Sequence, residues 1–362
     1  MKLVELFCGA GGFSRGAHSA GFEISAAYDL DETLTSSFER NFPNTLLRHR
    51  DVSNLQGAEI AGDVSGEITG LIGGPPCQGF SSIGRREVSD PRRLLLGHFF
   101  RLVAEIEPSF FVMENVLGLT SAHSRDVLAQ AMQKTAAAYN ICEPLILNAA
   151  DFGAATSRRR VFVIGLHRDF QTTFEGEMLE QWKRPAATVH QAIADLHGAE
   201  RLGDKDDGFD HWRIKRRGAP SEYARSLRSI DGRFTGHRIT DHSDKVIRRF
   251  SEVLPGKTDK VGRHHRLKWD GQCPTLRAGT GSDRGSYQSV RPIHPVDNRV
   301  ITAREAARLQ GFPDDHVFHP TTWHSFRMIG NSVSPIVGDV VLKTVAQTLK
   351  LNVNEHYTEA AE

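Results

Sequence analysis

The sequence predicts an α/β fold, with a doubly wound, mostly parallel sheet and a smaller, irregular second domain. Two observations predict this fold. Short apolar runs typical of strands alternate with helical patterns from residue 1 to about residue 166. After about residue 168 the chain turns polar, basic and weakly periodic. Its 362 residues, of which 39% are apolar, can bury a sizeable core.

Several predicted elements end at a residue that interrupts regular structure. Glycines end the first strand and the first helix, and prolines follow the second and third helices. We predict strands over residues 2–7, 24–28, 68–72, 110–113, 145–148 and 160–165, and helices over residues 13–20, 32–41, 98–106 and 125–138. In such a sheet, functional residues are expected just after the carboxyl ends of the strands.

Regular structure is predicted again near the end of the chain. Thr302 and Glu305 form a capping box, which begins a helix that runs to about Gln310. A final helix over residues 334–349 carries an apolar face that should pack back on the first sheet. The residues from 351 onward are expected to be a disordered tail.

Charge is distributed unevenly along the chain. The formal net charge is only +1, yet residues 211–299 hold 20 Lys or Arg against 9 Asp or Glu. Two interpretations of this basic block stay open, a surface for a polyanion or a solvated face.

The cysteines and the apolar runs indicate the compartment. Cys8, Cys77, Cys142 and Cys273 form no CxxC pair, which fits a reducing compartment, and no metal site is predicted. The N-terminal apolar run is short and is predicted to be a strand instead of a signal peptide. No run of 18 apolar residues exists, so no membrane span is expected.

A glycine-rich turn after the first strand is the first candidate site. Phe7, Gly9 and Gly11 belong to this turn, and Asp29 ends the next strand about 20 residues later, where an acid can hold ribose hydroxyls. The pattern is Gly-x-Gly-Gly and not the Gly-x-Gly-x-x-Gly of dinucleotide binders, so a nucleoside cofactor is favoured. The alternative is a plain tight turn.

Cys77 is the candidate nucleophile. Two prolines fix the backbone immediately before it, and glycines lie on both sides of the turn. A thiol held this way at a strand end is well placed to attack a substrate. The usual alternative, a buried and inert cysteine, is the prediction for Cys8, Cys142 and Cys273.

Glu114 and the arginine pair Arg158 and Arg160 are two further candidate sites. Glu114 follows an apolar strand, so partial burial should raise its pKa and let it share a proton, although an N-cap or a salt bridge is the common alternative. Arg158 and Arg160 share one face of an extended segment and could grip a phosphate or polarise a carbonyl. Arg159, between them, is expected to be solvated.

These motifs together resemble the DNA cytosine-5 methyltransferase family, of the bacterial, restriction–modification-like type. They cover most of the chain in the family's order. The matching segments are ELFCGAGGFSRG from Glu5, YDLDE from Tyr28, DVSNL from Asp51, GGPPCQGFSSIG from Gly73, MENV from Met113, RRRVFVIG from Arg158, REAARLQGFPD from Arg304 and IGNSVSP from Ile329.

The resemblance implies a class I S-adenosylmethionine-dependent fold and a covalent mechanism. A target cytosine is flipped from the duplex because its ring carbons are inaccessible within the stack. Cys77 attacks carbon 6, Glu114 hydrogen-bonds the ring nitrogen and the amino group, and carbon 5 takes the methyl group. Arg160 resembles a residue that contacts the base, and Arg158 resembles a support for a phosphate or for the cysteine loop.

The resemblance also assigns the cofactor and DNA contacts. S-adenosylmethionine, which leaves as S-adenosylhomocysteine, would be held by Phe7, Gly9, Gly11, Asp29, Leu30, Asp51, Val52, Pro76, Leu95, Asn331 and Ser332. Asp29 would hold the ribose, Asp51 the adenine amino group, and Phe7 the adenine face. Residues 79–95 resemble a mobile loop that closes over DNA, with Ser81 near a phosphate. The candidate base readers are Arg277, Arg284 and Gln288.

The resemblance divides the chain into four parts. Residues 1–180 would form the catalytic and cofactor-binding domain, residues 181–320 the target-recognition domain, residues 321–350 a segment packed on the catalytic domain, and residues 351–362 the tail. The partners implied are double-stranded DNA and a cognate restriction endonuclease. We expect a monomer in the cytoplasm of a prokaryote, associated with the nucleoid.

Two positions depart from the family pattern, and two other classes of protein remain as alternatives. Ala155 and Thr156 replace the Pro-Gln that usually precedes the arginine pair, and Leu30 replaces a large ring. The alternatives are a methyltransferase that acts on tRNA and a DNA-binding relative without activity. The long basic region and the Gln-Gly-Phe-Ser after Cys77 favour DNA over tRNA, and intact Cys77, Glu114, Arg158 and Arg160 favour an enzyme.

Overall fold

The structure is a computed structural model, which describes residues 1–76, 92–204, 207–215, 219–279 and 290–351. Within them, the strands are β1 Lys2–Leu6, β2 Glu23–Asp29, β3 Leu46–His49, β4 Gly70–Gly73, β5 Phe110–Asn115, β6 Tyr139–Ile141, β7 Leu145–Asn148, β8 Thr156–Ser157, β9 Arg159–His167, β10 Glu200–Asp204, β11 Asp210–Arg213, β12 Arg233–Thr235 and β13 Cys273–Pro274. The helices are α1 Gly12–Ser19, α2 Phe38–Asn41, α3 Gly57–Asp63, α4 Arg92–Ile106, α5 Ala122–Met132, α6 Val189–Ile193, α7 Glu222–Leu227, α8 Asp244–Ser251, α9 Ala303–Leu309, α10 Thr322–Asn331 and α11 Pro335–Leu349.

An eight-stranded sheet organises the first half of the chain. Its order is β3-β2-β1-β4-β5-β9-β6, and β7 also pairs with β9. The five strands from β3 to β5 are parallel. The chain runs from β1 to β2 and β3 on one side and then to β4 and β5 on the other. The carboxyl ends of β1 and β4 therefore flank a switch point, which is where ligands bind in open α/β sheets.

The last three strands of this sheet are antiparallel to their neighbours. β9 pairs antiparallel with β5, β6 and β7. The mostly parallel sheet that the sequence predicts is confirmed, and its antiparallel part includes the β7–β9 connection. Too few residues lie between Asn148 and Arg159 for the crossover that parallel strands need, so the chain turns back directly.

Several helices differ from the sequence prediction, among them α4, which begins at Arg92 and not at residue 98. Of the predicted helix at residues 32–41, only α2 is helical, because Asp31 Oδ1 accepts hydrogen bonds from the amides of Thr33 and Leu34 and forms a turn instead. The helix predicted at residues 125–138 begins and ends earlier, as α5, and the short strand β6 follows it. Helix α10, which buries Phe326, Met328 and Ile329, was not predicted.

Helices cover both faces of the sheet. Phe13 and Val341 belong to an apolar cluster on one face, and Phe99 and Phe111 belong to a cluster on the other. Helix α11 packs against α1 so closely that a Cβ on Gly16 would lie 2.8 Å from the backbone of α11. The prediction that the final helix packs back on the first sheet is confirmed.

The second half of the chain has its own small sheet and core. Strands β10, β11 and β12 form an antiparallel sheet, and α6 and α9 contribute to a third apolar cluster. The predicted capping box is confirmed, with Thr302 Oγ1 accepting from the Glu305 amide at 3.2 Å and Glu305 Oε2 accepting from the Thr302 amide at 2.7 Å. The cluster includes Ala10 and Ala155, so contacts cross the predicted domain boundary.

Cys8 and Cys273 are buried and Cys142 is partly buried. Burial raises the thiol pKa of Cys142 to about 11 and that of Cys273 to about 12. These thiols therefore stay protonated at neutral pH, in agreement with the inert role predicted for them. Among the described residues, no helix has the length and apolar character needed to cross a membrane.

Glu5 is a buried carboxyl group inside β1. It is 2% exposed, and the Ser14 hydroxyl donates to its Oε2. Burial, with a smaller contribution from the charge of Asp29, raises its pKa from 4.5 to about 8. The folded protein therefore binds a proton that the unfolded chain releases above pH 4.5, and this contribution to stability is lost as pH rises towards 8.

We expect Glu5→Gln to stabilise the protein at alkaline pH and to have little effect near pH 4.5. The neutral amide avoids the cost of an ionised buried carboxylate, roughly 2–5 kcal/mol at about 1.36 kcal/mol for each pKa unit. Urea unfolding of both proteins at pH 5 and pH 8.5 measures the difference. The exposed Glu23→Gln on β2 is the control. An equal effect of Glu5→Gln at both pH values would contradict the prediction.

Candidate active site

The glycine-rich turn after β1 lies beside the end of β2. The amide of Gly9 donates to Asp29 Oδ2 at 2.8 Å, and the amide of Asp31 donates to Asp29 Oδ1 at 2.9 Å. Phe7, Gly9 and Gly11 all have positive φ angles, of 58°, 49° and 77°. A Cβ on Gly9 would meet no atom within 4 Å, so the turn opens onto free space. The predicted proximity of the glycines and Asp29 is confirmed.

The other wall of this space comes from the end of the chain. Asn331 ends α10 and is exposed, and Ser332 follows it. A Cβ on Gly12 would lie 2.9 Å from Ser332 Cβ, so this segment touches the glycine-rich turn. His316 Nε2 lies 3.0 Å from the carbonyl oxygen of Ala10 and braces the same turn. The structure thus brings Asn331 and Ser332 to the predicted cofactor site.

Asp51 and Val52 follow β3 on the same edge of the sheet. Asp51 Oδ1 accepts from the amide of Ser53 at 2.9 Å. Arg101 of α4 donates to the carbonyls of Val52 at 3.2 Å and of Leu55 at 2.7 Å. The Val52 side chain is buried, so only part of its surface could contact a ligand. The Asp51 turn is therefore fixed by helix α4.

Three more predicted cofactor residues are described. Leu30 is 65% exposed at the end of β2, so its side chain is free to cover a ligand. Leu95 lies in the first turn of α4 and is partly buried. Pro76 is also partly buried and ends a described segment.

Glu114 lies beside the turn that leads to Cys77. Strands β4 and β5 are paired, with Gly73 opposite Met113. A Cβ on Gly74 would lie 3.4 Å from Glu114 Oε2, and Asn115 Nδ2 donates to the carbonyl of Pro75 at 3.1 Å. Cys77 itself lies outside the described residues. The Pro-Pro turn that precedes it is held against Glu114, as the adjacent strand ends predicted.

Glu114 is buried and lies near positively charged side chains. Its side chain is 8% exposed, and its Oε1 lies 3.0 Å from Arg160 Nε. Burial raises the pKa of Glu114, and the charges of Arg160 and Arg158 oppose this rise. Glu114 lies within β5 instead of just beyond its end. A carboxyl group in this state can share a proton with a bound base.

Arg158 and Arg160 point inward and Arg159 points to solvent, as the alternation predicted. Arg158 is 2% exposed and donates to three carbonyl oxygens, those of Leu276 at 3.0 Å, Gly330 at 2.9 Å and Ser332 at 2.7 Å. Its guanidinium thus joins Leu276, in the predicted target-recognition domain, to the wall that carries Asn331. This arrangement differs from the predicted grip on a phosphate.

The segment before Arg158 is ordered although Ala155 and Thr156 depart from the family pattern. Strand β8 pairs with β13, with Thr156 opposite Cys273. The amide of Cys273 donates to the carbonyl of Ala155 at 2.8 Å, and Thr156 Oγ1 donates to the carbonyl of Cys273 at 2.9 Å. Pairing with β13, more than 100 residues later in the chain, therefore orders this segment.

Of the predicted DNA contacts, only Arg277 is described. It is exposed and lies next to α10, since a Cβ on Gly330 would be 2.5 Å from the carbonyl carbon of Arg277. Ser81, Arg284 and Gln288 lie outside the described residues, as does most of the predicted loop at residues 79–95. Arg277 therefore lies beside the wall that Arg158 holds.

Several residues that position the site were not predicted from the sequence. Asn115 lies inside a quoted motif, but nothing predicted its bond to Pro75. Arg327 of α10 pairs with Asp31 at 3.2 Å and connects the two walls of the candidate cofactor site. His316 and Arg101 carry no local signal, because their contacts lie far away along the chain.

The fold and this site define an α/β protein with a candidate site for a nucleoside cofactor and a buried carboxyl group beside the turn that precedes the candidate nucleophile. A family model described as C-5 cytosine-specific DNA methylase matches residues 1–347. The chain belongs to this family and is a DNA cytosine-5 methyltransferase.

Curated relatives and solved structures agree with this assignment. The Type II methyltransferase M.XorII of Xanthomonas oryzae is 38% identical, across 96% of this chain and 85% of the relative. The Type II methyltransferase M.DdeI of Desulfomicrobium norvegicum is 31% identical, across 96% and 88%. A solved candidate DNA modification methyltransferase from an E. coli prophage is 36% identical with a TM-score of 0.82, across 97% of this chain and 99% of that one. The S. pombe Dnmt2 methyltransferase, 19% identical with a TM-score of 0.63 and covering 97% and 98% of the two chains, shares the fold.

Proposed function

We propose that this enzyme methylates carbon 5 of a cytosine flipped out of duplex DNA, with Cys77 as the nucleophile and S-adenosylmethionine as the methyl donor. One observation carries the proposal. The buried carboxyl group of Glu114, paired with Arg160, lies beside the Pro-Pro turn that precedes Cys77, and the neighbouring Asn115 bonds this turn. Because its pKa is raised, Glu114 can share a proton with a heteroaromatic ring that is bound beside the turn leading to the nucleophile.

Each catalytic side chain has a defined part in the proposed reaction. The Cys77 thiolate forms a bond to carbon 6, and the electron pair of the 5,6 double bond becomes available at carbon 5. Protonated Glu114 donates to the ring nitrogen that gains electron density, and Arg160 contacts the base. After carbon 5 has been methylated, its proton leaves to a base, and Cys77 departs as the double bond forms again.

The described residues fit a nucleoside cofactor with a methyl sulfonium group. The space above Gly9 is open, Asp29 is fixed by two backbone amides, and Leu30 is exposed beside it. We propose that Asp29 holds the ribose, that Asp51 and Phe7 hold the adenine, and that Asn331 and Ser332 line the opposite wall. When bound, the cofactor supplies the methyl group that carbon 5 takes.

We expect Asp29→Asn to weaken cofactor binding about 10- to 100-fold. The charged acceptor of the ribose hydroxyls is lost, and the amide cannot accept from both Gly9 and Asp31. Isothermal titration with S-adenosylhomocysteine measures the change, and Asp126→Asn on α5 is an exposed control. Binding within twofold of wild type would contradict the ribose role of Asp29.

The wider biological role follows from the curated relatives, which are named as Type II methyltransferases. We propose that this chain protects DNA in a restriction–modification system with a cognate endonuclease. It would act as a monomer on duplex DNA, in the cytoplasm and near the nucleoid, with residues 181–320 as the target-recognition domain. The basic block at residues 211–299 would then contact phosphates.

Bisulfite sequencing of DNA from cells that express the protein tests the proposal. We expect 5-methylcytosine at one short sequence motif, and a covalent adduct of the purified protein with duplexes that carry 5-fluorocytosine. Absence of both on every cytosine duplex would overturn the enzymatic proposal. Methylation of tRNA but not of DNA would instead support the rival substrate.

A further inference from the structure

The recognition region contains an exposed β-hairpin over residues 257–266. The amide of Arg266 donates to the carbonyl of Lys257 at 2.9 Å, and the amide of Asp259 donates to the carbonyl of His264 at 2.8 Å. The tip consists of Lys260, Val261, Gly262 and Arg263. The sequence predicted irregular structure here, and the base readers were predicted elsewhere.

Two buried side chains make this hairpin rigid. Asp259 is 3% exposed, accepts from the amides of Val261 at 3.2 Å and Gly262 at 2.7 Å, and pairs with Arg249 at 3.3 Å. Arg266 is 4% exposed and donates to the carbonyls of Phe250 and His294 and to the side chain of Asn298. Such anchoring is typical of an element that must present its tip in a fixed geometry.

The tip presents positive charge around an apolar residue. Residues 257–268 contain five Lys or Arg and one acid, the buried Asp259. Lys257, Lys260 and Arg263 are exposed, and Val261 is 75% exposed. Cations flanking an exposed aliphatic side chain match the groove of a nucleic acid, where phosphates border base edges and thymine methyl groups.

Arg263 has a backbone conformation that disfavours its own side chain. Its φ is 58°, in the left-handed region, where glycine or asparagine is less strained. Residues kept in such conformations cluster at sites of function. Arg263 therefore occupies this position at a local conformational cost.

The base of the hairpin leads to the active-site wall. The amide of Leu267 donates to the carbonyl of Ile293, and the amide of Ile293 donates to the carbonyl of His265. The guanidinium of the nearby Arg291 lies 4.9 Å from the ring centre of Phe326 on α10. Helix α10 ends at Asn331, which belongs to the wall of the cofactor site. A short series of contacts therefore connects the hairpin to this wall.

We propose that the tip of this hairpin enters a groove of the target DNA, where Arg263 reads a base edge and Lys260 contacts a phosphate. The fork of an arginine suits bidentate bonds to guanine O6 and N7, and Val261 suits contact with a methyl group or a sugar. The inference rests on the proposed function, because it assumes that duplex DNA is the substrate.

The test uses Arg263→Gly, which relieves the backbone strain while it removes the fork. We expect unchanged or higher Tm, unchanged cofactor binding, and kcat/KM at the preferred site lower by about 10- to 100-fold, with relaxed specificity at one position in bisulfite sequencing. Lys260→Ala should weaken binding to all duplexes alike and lower the slope of log Kd against log salt concentration by about one.

Lys350→Gly is the matched control. Lys350 is exposed, has a φ of 52° and follows α11, so the substitution removes the same charge and the same strain at a distance from the hairpin. It should leave kcat/KM and specificity unchanged. If wild-type protein methylates DNA and Arg263→Gly has the wild-type kcat/KM and target sequence, the hairpin proposal is overturned and the proposed function is not. If wild-type protein methylates no DNA, the proposed function fails as well.

Discussion

Glu114→Gln should lower kcat by about 10²- to 10³-fold, while the variant folds and binds cofactor like the wild type. Glu114 is buried beside the turn that leads to Cys77 and is paired with Arg160. In the proposed reaction, protonated Glu114 donates a hydrogen bond to the ring nitrogen, where negative charge develops. Loss of one such donor typically lowers the rate by this factor. Single-turnover methylation of a short duplex measures it.

The pH dependence of the rate should change in the same variant. Burial raises the pKa of Glu114, so its protonated form persists to higher pH than that of an exposed glutamate. As pH rises through this raised pKa, the carboxyl group loses its proton and wild-type kcat/KM should fall. The amide that replaces the carboxyl group in Glu114→Gln does not titrate, so the alkaline decrease assigned to Glu114 should vanish in this variant.

Two comparisons make this prediction specific. The exposed Glu143→Gln should leave rate and pH profile unchanged. Cys77→Ser should abolish the adduct with 5-fluorocytosine, whereas Glu114→Gln should form it slowly, because only Cys77 supplies the covalent bond. A Glu114→Gln rate within about tenfold of wild type would contradict the catalytic role.

The sequence predicted those features of the site that depend on strand ends. A parallel α/β sheet brings residues that follow its strands to one edge, so Gly9, Asp29 and Glu114 could be placed together from the alternation alone. The capping box at Thr302 was equally local, because it depends on residues three positions apart.

The other features depend on contacts between distant residues. The antiparallel pairing of β9 follows from the length of a connection, and the hairpin at residues 257–266 is fixed by Arg266 through carbonyls near residue 294. Likewise, neither partner of the bond between His316 and Ala10 indicates the other. Periodicity and motif spacing cannot find such pairs, because each partner looks ordinary in its own segment.

Arg158→Met should destabilise the protein by roughly 2–5 kcal/mol and weaken both cofactor and DNA binding. Arg158 donates to the carbonyls of Leu276, Gly330 and Ser332. Gln310 also donates to the carbonyl of Ser332 and can keep that oxygen bonded. The carbonyls of Leu276 and Gly330 lose the bond from Arg158 and do not have Gln310 as a second donor, at a cost of about 1–3 kcal/mol each. Urea unfolding and titration with S-adenosylhomocysteine measure the two effects. The exposed neighbour Arg159→Met should change neither.

Arg158→Lys separates the charge of this residue from its shape. The charge of Arg158 lowers the pKa of Glu114, against the larger effect of burial. Lysine keeps that charge but cannot span three carbonyls with a planar fork, so Arg158→Lys should lose stability like Arg158→Met and yet keep the wild-type pH profile. In Arg158→Met the alkaline decrease in kcat/KM should move to higher pH, because Glu114 loses a nearby cation and stays protonated longer. Wild-type stability and cofactor affinity in Arg158→Met would show that the recognition region and the cofactor wall are held together by other contacts.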